Sequence, residues 1–126
     1  MSEVNVSVND EQENVRDRVL RRFPAGFEGL LARMVKETLL WTQPRFERAS
    51  LYSENFEGLL LEGSYLIRPM QTDRFRLYYD KGMNGKWEDT VVYDGTTLDV
   101  IRGLLNHRGE EGKKAVMQHF ERVLLG

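Results

Sequence analysis

The sequence predicts an α+β domain in which a three-stranded antiparallel meander, four-stranded if the N-terminal segment pairs, carries helices on one face. The expected order is α-α-β-β-β-α-α. Two observations point to it. Apolar residues recur at helical spacing before residue 42 and after residue 96, whereas between residues 59 and 93 the period drops to two. The chain has 126 residues and no cysteine. That length fits one domain able to bury roughly two-thirds of its unfolded surface without a disulfide or metal staple.

Taken in order, Val4, Val6 and Val8 alternate with polar neighbours. Residues 1–10 read as a flexible N-terminal arm ahead of a single domain over 11–126, or as an edge strand offered to a partner. The first helix follows. Asp10 suits an N-cap, Glu11 and Glu13 fall in the first turn, and Arg21 and Arg22 close the helix before Pro24. Val15, Val19 and Phe23 form its apolar face. A second helix starts near Pro24, with Phe27, Leu30, Leu31, Met34, Val35, Thr38 and Leu39 as a core-facing stripe that Pro44 ends. Between Thr42 and Asn55 the pattern predicts irregular chain, or at most a short helix around Phe46.

The strands come next. Leu59, Leu61, Gly63, Tyr65 and Ile67 share one face of a first strand that Pro69 terminates, and Met70 to Asp73 turn the chain. Phe75, Leu77 and Tyr79 alternate with polar residues in a second strand, and Trp87, Val91 and Tyr93 do so in a third. The connection contains Gly82, Asn84, Gly85 and Lys86. A phosphate-binding loop requires GxxxxGK followed by Ser or Thr, between a strand and a helix. Here the glycines are three apart, Trp87 follows Lys86, and strands flank both sides. A hairpin is expected instead. A two-residue Asn84–Gly85 turn would split the apolar set across both faces, because opposite residues share a face. A three-residue loop, Met83 to Gly85, pairs Leu77 with Val91 and Phe75 with Tyr93 and keeps the set together.

Asp94–Gly95 ends the sheet. Thr96 and Asp99 form a capping-box pattern, Leu98, Ile101, Leu104 and Leu105 face inward, and Asn106 to Gly109 stop that helix. A last helix over about 111–124 presents Val116, Phe120, Val123 and Leu124.

Eighteen basic and twenty acidic residues leave a net charge of −2. Wholesale attraction to nucleic acid or anionic lipid is therefore not expected, although a local patch could bind. No apolar run approaches a membrane span, and residues 1–14 lack the basic and apolar regions of a signal peptide. The expected setting is the cytoplasm, with no membrane contact. Without cysteine there is no thiolate chemistry. The only histidines, His107 and His119, have no metal-ligand spacing, and no serine sits in a nucleophile elbow. Neither a cofactor nor a metal is expected. Asp89 is the one acid that the preferred register turns toward the apolar face.

The remaining surface of interest is the other sheet face. It carries Arg68, Arg74, Arg76, Tyr78 and Lys86, interspersed with acids and with Leu60, Leu66 and Val92. Basic side chains beside a tyrosine could take a protein partner, a second copy of the chain, or a single nucleic-acid strand. With no catalytic constellation in view, the expectation is a small non-enzymatic regulatory or adaptor protein acting through protein–protein contact. The alternative is a nucleic-acid-binding module on the same residues.

Overall fold

The computed structural model describes residues 15–36, 43–51, 53–80, 82, 87 and 91–125. Among them are four helices and five strands. Helical residues 15–20 (α1) and α2 (Phe27–Lys36) precede β1 (Arg45–Leu51), β2 (Glu54–Leu61), β3 (Tyr65–Pro69), β4 (Phe75–Tyr79) and β5 (Val91–Gly95). Then come α3 (Thr97–Arg108) and α4 (Lys113–Leu125). The strands form one antiparallel sheet in sequential order, β1-β2-β3-β4-β5. The expected Asp10 cap, the Val4–Val8 segment and the Thr38–Leu39 end of the second stripe lie outside the described residues.

The α+β class and the antiparallel sheet agree with the sequence, but the described residues form five strands rather than three or four. The segment expected to be irregular forms β1 and the first two residues of β2. Its pattern misleads because β1 is an edge strand: Arg45, Glu47, Arg48 and Ser50 are exposed and only Leu51 is buried. Charges on an edge deter unwanted strand pairing, and they also erase the apolar alternation.

The expected first strand is in fact two strands joined by a tight turn. Glu62 and Gly63 take positive φ (57° and 73°), and the Ser64 N–H donates to the Leu61 carbonyl at 3.2 Å. Leu61 then pairs with Tyr65, and Leu59 with Ile67. The three-residue connection preserves parity, so Leu59, Leu61, Tyr65 and Ile67 still share one face although the chain has reversed.

That inner face carries the main core. Leu59, Leu61, Ile67, Phe75 and Leu77 pack with Val19 and Phe23 of the α1 segment, Phe27 and Met34 of α2, Ile101 and Leu104 of α3, and Phe120 of α4. Phe23 stacks between Phe27 and Phe75, with ring centroids 4.1 and 4.4 Å away. Arg18 anchors α1 over β2 through a bidentate pair with Glu57, one bond of which is 2.8 Å. The predicted caps of α3 are present. The Thr96 N–H donates to Asp99 Oδ2 at 3.0 Å, and the Asp99 N–H donates to Thr96 Oγ1 at 3.3 Å. Gly109 closes the helix at φ 67°. In α4 one inward assignment fails, since Val123 is exposed.

The outer face differs from a solvated sheet surface. Leu51, Leu60, Leu66, Tyr78 and Trp87 form a second core, with Ala49 and Phe56 against it. Trp87 therefore lies on the face opposite to the one expected. The β4–β5 ladder also departs from the expected register. Leu77 pairs with Tyr93 and Phe75 with Gly95, and a bulge then sets Tyr78 against Val91. The Leu77–Val91 and Phe75–Tyr93 pairs expected from a three-residue loop are absent. Trp87 packs in the outer core with Leu51, Leu60, Leu66 and Tyr78. Lys86, Asp89 and the Met83–Gly85 tip lie outside the described residues.

Candidate functional site

Of the sequence-predicted surface residues, Arg68, Arg76 and Tyr78 share one sheet face but do not form an open platform. Tyr78 is fully buried. Its hydroxyl meets no partner at hydrogen-bonding geometry, although it lies close enough to the Arg76 guanidinium to interact electrostatically. Asp94 first, and Tyr78 after it, hold that guanidinium above its ordinary pKa. Arg76 donates to Asp94 at 2.9 Å, and Arg74 approaches the same carboxylate at 3.9 Å. Arg68 pairs with Glu54 and lies 4.1 Å above the centre of the Phe56 ring. A cation over a ring face is attracted by the ring quadrupole. Each described arginine of the set is thus engaged within the fold.

The two sheet edges differ in chemistry. β1 presents Arg45, Glu47 and Arg48 to solvent. β5 presents Val91, 51 % exposed, and Tyr93, 39 % exposed. The bulge turns Val91 toward the outer face opposite Tyr78, whereas Tyr93, opposite Leu77, lies on the inner face against α3. Gly103 of α3 allows this. A β-carbon there would come within 2.6 Å of Tyr93 Cγ, so only a residue without a side chain lets the tyrosine lie on the helix. β5 has β4 on one side, and its other edge has no strand against it among the described residues. An unpaired edge offers a row of N–H and C=O groups to an extended chain.

A second cluster was not foreseen. The Tyr65 hydroxyl and His107 Nδ1 lie 2.8 Å apart in a hydrogen bond whose direction follows the imidazole tautomer. The Tyr79 ring stands 4.3 Å from the imidazole and 5.0 Å from the Tyr65 ring. Beside them Arg108, its side chain 6 % exposed, donates to Glu62 at 2.5 Å and to Glu110 at 2.6 Å. Burial opposes the Arg108 charge, but the Glu62 and Glu110 carboxylates outweigh it and raise its pKa. Burial raises the Tyr65 phenol above its ordinary value, so the hydroxyl stays protonated at neutral pH. The cluster locks the C-terminal end of α3 onto the Glu62–Gly63 turn. The Tyr65–His107 and Glu62–Arg108 contacts each join residues more than 40 apart in the chain, and only the weak sign of tyrosines at matching strand ends could have suggested the cluster.

The chain matches no protein-family model, no curated protein and no solved structure. Among the described residues there is no group of His, Asp and Glu able to hold a metal ion, and no helix long and apolar enough to cross a membrane.

Proposed function

We propose that this chain is a non-enzymatic adaptor or regulatory protein that binds an extended segment of a protein partner along the open edge of β5. The observation that carries the reading is the contrast between the edges: three charged side chains guard β1, whereas β5 exposes Val91 and Tyr93, with Asp94, held by Arg74 and Arg76, as its one exposed charge. Backbone hydrogen bonds would hold the added strand, and apolar side chains alternating along it would meet Val91 on one face and Tyr93 on the other. With only five residues in β5, and a bulge within its ladder, the contact is small. It suits a transient complex of the kind that buries less than about 1,200 Å². Binding of a nucleic-acid strand to the outer face has less support, because Tyr78 is buried and Arg68, Arg74 and Arg76 are engaged within the fold.

The test compares proteins captured by the unmodified chain with those captured by Val91→Lys and Tyr93→Lys. Val123→Lys, which changes an exposed apolar residue away from the sheet, serves as the control. The expected result is a specific protein retained by the unmodified chain and the control but lost from both β5 variants. An identical captured set for all four would overturn the proposal.

A further inference from the structure

We draw no further inference here: the strongest candidate, the Tyr65–Tyr79–His107 cluster beside the buried Glu62–Arg108 pair at the end of α3, has its hydroxyl, Nδ1 and guanidinium taken up by one another and by Glu62 and Glu110, and nothing in the structure shows what ligand it would meet.

Discussion

Two side chains convert their surroundings into measurable pH dependence. Tyr65 is buried with its hydroxyl bonded to His107, and burial holds its pKa above the ordinary value of 10.0. The folded state therefore keeps the phenol protonated to higher pH than the unfolded chain does. Its contribution is whole below pH 10 and fades as pH rises through the folded value. Tyr65→Phe is expected to lower stability by about 1 kcal/mol near neutrality, the usual net worth of one internal hydrogen bond. In urea titrations that difference should shrink at pH 10.5, and a gap unchanged with pH would show that burial of the phenol is not its source. Glu57 behaves in the opposite sense. The hydrogen bond from Arg18 is the main cause of a pKa below its ordinary 4.5, and Arg48 adds to it. Its contribution is present above pH 4.5 and is lost as pH falls through the folded value. Because Arg18 and Glu57 are both partly exposed, at 41 % and 24 %, Glu57→Gln should cost no more than about 1 kcal/mol at neutral pH. The difference should nearly vanish in acid and diminish with added salt.

At the scale of elements, the outer core decides whether the sheet is one-faced or two-faced. Leu66 is 1 % exposed against Tyr78 and Leu60. If that face is packed, Leu66→Ala should lower stability by roughly 2–5 kcal/mol, the range for truncating a buried leucine. On a solvated face the same change would fall within about 0.5 kcal/mol. Gly58 contributes for a different reason. A β-carbon there would meet the Ile67 carbonyl oxygen at 2.8 Å, so β2 and β3 approach too closely for any side chain. The helices were legible because their stripes and caps are local: Thr96, Asp99 and Gly109 act within their own turns. β4 was legible because Phe75, Leu77 and Tyr79 alternate cleanly, whereas β2 and β3 read as one strand because the three-residue turn between them preserves parity. β1 was not, since its charged residues serve the edge rather than a core. Val91 was assigned to the wrong face because a bulge shifts parity without leaving a mark in composition. The open edge of β5 was hidden by the same means: Val91 and Tyr93 read as core until the pairing is known, and the Tyr65–His107 contact joins distant elements that no local pattern connects.

For the whole molecule, the two cores share the same strands. Leu59 and Leu61 point to the helices while Leu60, between them, points to the outer core, and Leu77 and Tyr78 divide in the same way. Neither core can lose its strands without withdrawing them from the other. The buried Arg108–Glu62 pair adds a tie between the helical layer and the β2–β3 turn, and breaking such a pair by removing one partner typically costs 3–5 kcal/mol. This arrangement predicts a single cooperative transition, as small domains usually show. Trp87 provides a reporter of the outer core, since it is 6 % exposed there. In a Trp41→Phe background its fluorescence should change at the same urea concentration as the far-ultraviolet circular dichroism of the helices. Leu66→Ala in the outer core and Leu104→Ala in the inner core should each move both signals together to lower urea. A Trp87 transition preceding the loss of helix would instead make the outer core a separate, weaker unit, and Leu66→Ala would then shift the fluorescence alone.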